Sequence, residues 1–446
     1  AMPTMATSNQ MFTRTKEFLS DRYPQTFVNI QLAHSQAAWN PDLKSIAVQA
    51  VGQDIDSEAM GISAMKWFQP RKKTLLAPFG VGTVDQALIS VLKTKHFFLR
   101  LFGLAHKVLI FDEVHAYDVY MSTLFVRLLE WLKLLGCSVI ILSATLPQRM
   151  KKELASVYAP KPLPDEDMQK YPSLTLISGN QSEVVQVEAG AEQAYNLDHI
   201  GAEVTDIVNY LEAKIDKGGC AAIVCNTVKK AQQVYLALKG MDLVDLHRQD
   251  ESLLLFHARY PQLWRQEIEN EVLTRFGKKN DKRPTKAILV ATQVIEQSLD
   301  LDFDLMISEL APIDLLIQRA GRLHRHAGEK EGRLHRHAGE KRPEKLAEAK
   351  LAIAVSEENG EPDFKASVRI YDESILLATY YALQHKNILR LPQETRGLIE
   401  LVYNPFKNDG FDIKQQEKLR PLFEKSMQNH EQEERIAYDK VIPRAG

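Results

Sequence analysis

Two adjacent carboxylates, Asp112 and Glu113, follow directly after the four apolar residues 108–111. Val-Leu-Ile-Phe is typical of a buried parallel strand, and ligands of open α/β sheets bind at the carboxyl ends of such strands. An Asp there can hold Mg²⁺ through water, while a Glu can orient or deprotonate water that attacks a phosphate. The pair therefore predicts nucleotide hydrolysis, with Asp112 on the metal and Glu113, beside the metal, as base. Taken alone, the same residues also fit a strand that ends in a solvated acidic turn.

The elements around this pair follow βαβ order. Residues 121–135 space their apolar positions as a helix packed on a sheet, and the short apolar strand 139–142 ends in Ser143-Ala144-Thr145. Consecutive strands of a βαβ unit lie in one parallel sheet. The Ser-Ala-Thr turn is therefore expected beside Asp112 and Glu113.

The second half of the chain repeats this arrangement. Strands predicted at 221–225, 253–256 and 287–290 end near Asn226, His257 and Thr292, respectively. Such a succession indicates a second parallel sheet that resembles the first. We expect the two sheets to face a shared cleft.

A cluster of cationic side chains follows the second sheet. Gln318, Arg319, Arg322 and Arg325 fall on one side of a helical or turn segment. Guanidinium groups there can stabilise the charge on a departing γ-phosphate, an effect of about 10³ to 10⁵ in rate for arginine fingers. A solvated basic turn is the plainer interpretation of the same cluster.

Composition bounds the class of protein. The 446 residues are 45% hydrophobic and 26% charged with a net charge of −2, as in an ordinary globular protein, so nucleic-acid binding would depend on local patches. The three cysteines form neither a CxxC pair nor a disulfide framework, which favours the cytoplasm. No apolar run reaches the roughly 20 residues of a membrane span, so we expect no membrane partner.

Six motifs in this order resemble superfamily 2 helicases, most closely the CRISPR-associated helicase-nuclease of type I interference systems. The resemblance covers about residues 2–345. The residues that carry it are Pro3-Thr4, Gly82 to Gln86, Asp112 to Asp118, Ser143 to Thr145, Ala291 to Asp300 and Gln318 to Arg325. The extended forms DEVHAYD and ATQVIEQSLD separate this family from general DEAD/DEAH enzymes.

The resemblance implies roles around a nucleotide, with ATP and Mg²⁺ as cofactors. Arg322 and Arg325 match the finger positions, and Gln318 matches a contact to the γ-phosphate or to water. Asp300 matches a ribose contact, and Arg319 belongs to the same nucleotide-binding group. His115, Ser143 and Thr145 match groups that couple hydrolysis to domain movement.

The resemblance also implies contacts to single-stranded DNA. Thr4, Thr83, Asn226, His257 and Thr292 match turns that hold the sugar-phosphate backbone, which suits sequence-independent binding. Each is individually also a plausible cap or turn residue. Basic runs at 71–73 and 278–283 would add salt-dependent affinity.

One expected element is missing. The sequence contains no GxxxxGK[ST] loop, whose backbone amides and lysine hold the β- and γ-phosphates. In the resembled family that loop lies just upstream of Pro-Thr, here residues 3 and 4. We therefore expect a fragment that lacks the Walker A loop and the nuclease domain, with little ATPase activity alone.

The predicted fold is α/β, with two RecA-like parallel-sheet domains, the first incomplete, and a partial, mostly helical C-terminal region. A helix at 7–19, capped by Thr7 or Ser8, opens the chain, and residues 351–355 form an edge strand. The last ten residues of the 11-residue segment 331–341 repeat residues 321–330, which indicates a local duplication or a sequence error. The predicted segments are 1–155 for domain 1, 156–200 for a connector, 201–345 for domain 2 and 346–446 for the accessory region.

The expected function is ATP-dependent translocation on single-stranded DNA in CRISPR interference, with a guide-RNA surveillance complex as partner. Three alternatives stay open. The first is an RNA helicase of the DEAH group, and the second is a non-catalytic nucleic-acid-binding remnant. A third is a split subunit whose partner polypeptide supplies the Walker A loop and nuclease parts.

Overall fold

The computed structural model describes most of the chain. Part of the basic run 71–73, residues 279–283, Gln297, Ser298 and the repeat at 331–341 lie outside the described residues. The described residues are 1–26, 28–48, 62–68, 73–159, 161–164, 170–179, 181–241, 243–244, 251–278, 284–296, 299–325, 342–407 and 410–445.

The chain divides into two compact units, unit 1 with residues 1–187 and 427–446 and unit 2 with residues 188–426. The elements of residues 1–187 are α1 Met5–Arg22, β1 Val28–Ala33, α2 Pro41–Ser45, β2 Ala47–Val48, β3 Ile62–Met65, β4 Phe79–Gly82, α3 Val84–Leu88, α4 Phe97–Leu104, β5 Val108–Phe111, α5 Val119–Leu134, β6 Ser138–Ile141, α6 Gln148–Tyr158, β7 Ser173–Ser178 and β8 Gln181–Gln186.

Unit 1 contains two groups of parallel strands. Strands β2, β3, β1 and β4 lie side by side in that order, and β5 pairs with β6. Helix α5 packs against β5 and β6 through Phe125, Leu128 and Leu129, all fully buried. The prediction that the strand at 108–111 is buried is wrong for the face that points away from α5. Val108 on that face is 65% exposed, because no described element covers it.

The elements of unit 2 continue the chain. They are β9 Gln193–Ile200, α7 Val204–Ile215, β10 Gly219–Val224, α8 Val228–Lys239, β11 Glu251–Phe256, α9 Gln262–Phe276, β12 Lys286–Ala291, β13 Leu305–Glu309, α10 Ile313–Ala320, β14 Lys350–Ala354, β15 Ser356–Glu358, β16 Glu361–Asp363, α11 Glu373–Leu383, β17 Ile388–Leu391, α12 Thr395–Tyr403 and α13 Ile413–Lys440, whose second half falls in unit 1.

Unit 2 is organised around a seven-stranded sheet with the order β11-β12-β10-β13-β14-β9-β17. All neighbours pair in parallel except β17, which is antiparallel to β9. Apolar clusters cover both faces, so the inner strands are uniformly buried. The prediction of an edge strand at 351–355 is wrong, because β14 lies between β13 and β9.

Both units therefore confirm the predicted α/β class with parallel sheets. Helix α1 starts earlier than predicted: Thr4 is its N-cap and accepts from the Thr7 backbone N–H at 3.2 Å, so the predicted cap at Thr7 or Ser8 is wrong. Within the described ranges, no helix combines the length and apolar character needed to cross a membrane.

Candidate functional site

The acidic pair occupies a tight turn after β5. The Asp112 backbone N–H donates to Ala1 O at 3.0 Å, and its carboxylate accepts from the Glu113 N–H at 3.0 Å. Glu113 has a φ of 54°, in the left-handed region that residues with side chains rarely adopt. Such strained backbone occurs where surrounding structure over-determines it, often at functional sites. This conformation fits a turn that aims a carboxylate.

His115 links this turn to the next strand end. Its Nδ1 lies 3.4 Å from Glu113 Oε2 and 3.0 Å from Ser143 Oγ. Burial lowers the pKa of His115 to about 4, although the charge of Asp112 opposes the shift. The imidazole is therefore neutral at pH 7, and its contact with Glu113 joins a neutral ring to a carboxylate. The structure thus joins three residues that the sequence places in two motifs.

Thr145 shares this strand end. Its side chain is 1% exposed, and its hydroxyl has no hydrogen-bond partner among the described residues. A buried hydroxyl without a partner costs about 1–3 kcal/mol, so its retention needs an explanation. One explanation is that the turn at Thr145 changes position and thereby gives the hydroxyl a hydrogen-bond partner.

The acidic pair fits Mg²⁺ only in a restricted sense. Among the described residues, no group of three or more His, Cys, Asp or Glu side chains is arranged to hold a metal. Mg²⁺ commonly uses one or two protein carboxylates together with water and substrate phosphates. Asp112 and Glu113 therefore suit an ion that arrives with a phosphate ligand.

In unit 2, two candidate residues from different motifs meet at the surface. Arg325 Nε lies 3.0 Å from Asp300 Oδ1, with side chains 46% and 35% exposed. The Arg325 backbone N–H also donates to Asp302 Oδ1 at 2.9 Å. Both side chains remain accessible, so a ligand can reach either of them.

Arg319 lies in a different environment, because it is 0% exposed. Its Nε donates to Glu296 Oε1 at 2.8 Å, and its Nη1 donates to Ser308 Oγ at 2.6 Å and to Glu309 O at 3.1 Å. Burial opposes the charge, but Glu296 and Tyr371 together outweigh it and raise the pKa of Arg319 above its usual value. The guanidinium is charged and enclosed by protein, so it can act on a ligand only through its neighbours.

Arg322 is also enclosed. It is 6% exposed, and its guanidinium donates to the backbone carbonyls of Leu299 and Glu296. Gln318 is half-buried on α10. Of the four clustered side chains, Arg325 alone is exposed, and Arg322 braces the loop that leads to Asp300.

The candidate nucleic-acid residues of unit 1 lie at turns. Thr4 caps α1, and Thr83 is 6% exposed with its backbone N–H donating to Ala33 O at 3.1 Å. Gly82 makes this approach possible, because a Cβ there would lie 2.3 Å from Ala33 O. Met2 bridges to Thr83, which brings the two predicted turns together.

The corresponding residues of unit 2 are buried. Asn226 is 2% exposed, and its side-chain amide donates to Leu310 O at 2.8 Å and to Ser367 Oγ at 2.9 Å. His257 is 4% exposed and stacks on Tyr260 with ring centroids 4.2 Å apart, and Thr292 is 4% exposed. The side chains of these three residues shape the turns. A ligand at these turns would therefore contact backbone groups and neighbouring residues.

Sequence reasoning missed two members of this polar network. Tyr371 accepts from Gln293 Nε2 at 2.9 Å and from Arg319 Nη2 at 3.4 Å. Glu296 pairs with Arg319 and lies inside the motif from Ala291 to Asp300, so its position there was an available signal. Nothing in the local sequence around Tyr371 indicates its partners.

Comparisons with known proteins identify the family to which the chain is similar. A family model described as CRISPR-associated nuclease/helicase Cas3, C-terminal, matches residues 217–328. The CRISPR-associated endonuclease/helicase Cas3 of Thermus thermophilus is 36% identical over 469 residues, covering 96% of this chain and 48% of the relative. The protein of the same description from Escherichia coli is 40% identical over 336 residues, covering 73% and 37%. The chain spans half or less of the length of these relatives.

Solved structures give the same result. T. fusca Cas3 with AMPPNP matches with a TM-score of 0.82 at 33% identity, covering 100% of this chain and 49% of that chain. A chain of a CRISPR RNA-guided surveillance complex, described as pre-nicking, matches with a TM-score of 0.70 at 29% identity, covering 99% and 52%. The chain therefore belongs to the CRISPR-associated Cas3 helicase/nuclease family.

Proposed function

We propose that this chain is the motor part of an ATP-dependent helicase that translocates on single-stranded DNA in CRISPR interference. The single observation that carries the proposal is the turn at Asp112 and Glu113, in which Glu113 has a positive φ and His115 contacts both Glu113 and Ser143. Residues 1–155 and 201–345 are proposed as RecA-like domains, 156–200 as connector and 346–446 as accessory region. The proposed location is the cytoplasm.

For hydrolysis, Glu113 is proposed to accept a proton from the attacking water, and Asp112 to hold Mg²⁺ through water. When bound, Mg²⁺ supplies charge neutralisation at the phosphate oxygens. The neutral His115 can pass a change at Glu113 to Ser143, because its Nδ1 contacts both. This gives the Ser143 to Thr145 turn a direct link to the state of the nucleotide.

Unit 2 is proposed to contribute the cationic and ribose contacts. Arg325 is the accessible guanidinium for the γ-phosphate, Asp300 contacts ribose, and Gln318 contacts phosphate or water. The enclosed Arg319 and Arg322 are proposed to hold the loop that carries Asp300, with Arg322 reaching phosphate only after that loop moves.

For the DNA, the proposed contacts are sequence-independent. The turns at Thr4, Thr83, Asn226, His257 and Thr292 are proposed to lie against the sugar-phosphate backbone, with accessible polar groups beside the buried side chains making the contacts. The likeness to a chain of a CRISPR RNA-guided surveillance complex supports such a complex as the source of the displaced strand. Target choice would then come from guide pairing and not from this chain.

The test uses a fusion that adds, before Ala1, the segment that precedes Pro-Thr in the Thermus thermophilus relative. ATP hydrolysis is measured with single-stranded DNA, with RNA of the same sequence and with no nucleic acid. The expected result is stimulation by DNA that Glu113→Gln abolishes. The matched control Glu183→Gln, at an exposed glutamate of β8, should retain activity. Stimulation by RNA alone would favour the RNA helicase alternative.

A further inference from the structure

Three parallel strands of unit 1 end side by side at the edge that carries Thr83. In β3 and β1, Ile62 pairs with Val28 and Ser63 with Asn29, while Gly82 of β4 pairs with Ala33 of β1. Gln31 Nε2 donates to Met65 O at 3.1 Å, which holds the end of β3 to β1. The residues that follow β3, β1 and β4 therefore stand in a row along one edge.

The residues of this row are polar or aromatic. Thr83 follows β4, His34 follows β1, and Trp67 and Phe68 follow β3 in a 3₁₀ turn. Neighbouring strands lie about 4.8 Å apart, so the chain at Trp67 is about 10 Å from the chain at Thr83. The aromatic pair thus continues the line begun by Thr4 and Thr83.

The side chain of Trp67 is more exposed than that of a core residue. Its side chain is 42% exposed, its ring meets Phe68 edge-on with centroids 4.7 Å apart, and Lys73 Nζ lies 4.3 Å from its ring centroid. A single exposed apolar residue is common and needs no explanation. An exposed indole braced by a second ring, beside a cation and in line with a candidate backbone site, is the combination that single-strand binding proteins use.

We propose that Trp67 stacks on a base of single-stranded DNA, next to the backbone contacts at Thr4 and Thr83, and that Lys73 pairs with the adjacent phosphate. A cation–π contact at an exposed site is weaker than a base–aromatic stack, so a base can replace the ammonium over the ring. The displaced Lys73 then meets a phosphate. Stacking is tolerant of sequence, as translocation along DNA requires. This inference rests on the proposed function, since it names how the same DNA is held.

The experiment measures binding of the full chain to two fluorescein-labelled oligonucleotides, an oligothymidylate and an abasic strand of equal length. The abasic strand keeps the phosphates and removes every base. We expect Trp67→Ala to weaken oligothymidylate binding by about five- to 100-fold and to leave abasic binding unchanged. Trp67→Phe, which keeps a stacking ring, should retain most of the affinity.

Phe102→Ala is the matched control. Phe102 is 71% exposed on α4, the helix that precedes β5. Its removal should change neither affinity. Equal loss on both strands for Trp67→Ala, or no loss, would overturn the stacking role. If the unmodified chain binds neither oligonucleotide, the proposed DNA-binding function fails as well, a result distinct from binding that ignores Trp67.

Discussion

Arg319 and Glu296 form a fully enclosed ion pair in unit 2, with Arg319 Nε donating to the Glu296 carboxylate at 2.8 Å. Arg319 is 0% exposed and Glu296 is 6% exposed. The pair links α10 to the segment after β12. The candidate nucleotide-binding residues in these two segments are therefore held in place by the same ion pair. Burial raises the pKa of Glu296, with Arg319 opposing that shift, so each charge depends on the other.

The first prediction concerns this pair. Glu296→Gln leaves the buried Arg319 charge without its carboxylate partner, which should destabilise unit 2 by about 3–5 kcal/mol. The control Glu271→Gln removes an exposed pair with Arg275, whose atoms are 2.7 Å apart, and should cost no more than about 1 kcal/mol. Urea unfolding measures both. Equal losses would contradict the enclosed role, and Arg319→Met with Glu296→Leu should cost less than the sum of the single variants.

The second prediction distinguishes the role of Asp300 from that of the buried Arg319–Glu296 pair. The Asp300–Arg325 pair is exposed, so Asp300→Ala should change the free energy of unfolding by less than about 1 kcal/mol. In the fusion, the same variant should weaken ATP binding by about two- to tenfold, since one hydrogen bond contributes about 0.5–1.5 kcal/mol. It should also abolish any preference for ATP over 2′-deoxy-ATP. A retained preference would remove Asp300 from the ribose. Asp216→Ala, which loses an exposed pair with Lys345, is the control.

The third prediction concerns pH and His34. Its Nδ1 accepts from the Gln36 N–H at 3.1 Å, so Nε2 carries the proton and donates to Asn9 Oδ1 at 3.0 Å. Burial lowers the pKa of His34 to about 4 from 6.5. The unfolded chain therefore binds this proton first, and unit 1 should lose up to about 3 kcal/mol as pH falls from 6.5 to 4.

Tryptophan fluorescence can follow this loss during urea unfolding, because Trp39, Trp67 and Trp131 lie in unit 1. His34→Gln should flatten the dependence of stability on pH. The same change at the exposed His385 of unit 2 should leave it intact. An unchanged slope in His34→Gln would show that another group is responsible.

The fourth prediction concerns the chain without added sequence. It contains no GxxxxGK[ST] loop, so the phosphates lack their usual lysine and backbone cradle. Phosphate release from ATP should therefore be near background, with or without DNA. Substantial DNA-stimulated release that Glu113→Gln abolishes would contradict this and show that other residues hold the phosphates.

Much of the fold could be predicted from local patterns in the sequence. The α/β class followed from apolar runs that alternate with amphipathic helices, and the structure confirms it. The helix predicted at 121–135 corresponds to α5, Val119–Leu134. Such elements depend on neighbouring residues, whose periodicity can be read directly from the chain. Cap position depends on backbone angles as well, which is why Thr4, and not Thr7 or Ser8, begins α1.

The surroundings of the candidate site residues were not predictable in this way. Arg319 and Arg325 belong to the same motif, yet one is enclosed and the other is 46% exposed. Tyr371 reaches Arg319 across 52 positions of sequence, and β14 enters the middle of a sheet although its pattern suggested an edge. These outcomes depend on long-range packing.

The sequence by itself determined which chemical groups are present and in what order: the Asp112–Glu113 pair, the Ser143 to Thr145 turn and the arginine cluster. It did so because motif spacing and strand periodicity are local properties of the chain. Only the tertiary structure decided which of these groups are accessible. Burial and pairing depend on residues far apart in sequence: Arg319 is enclosed with Glu296, whereas Arg325 pairs with Asp300 at the surface.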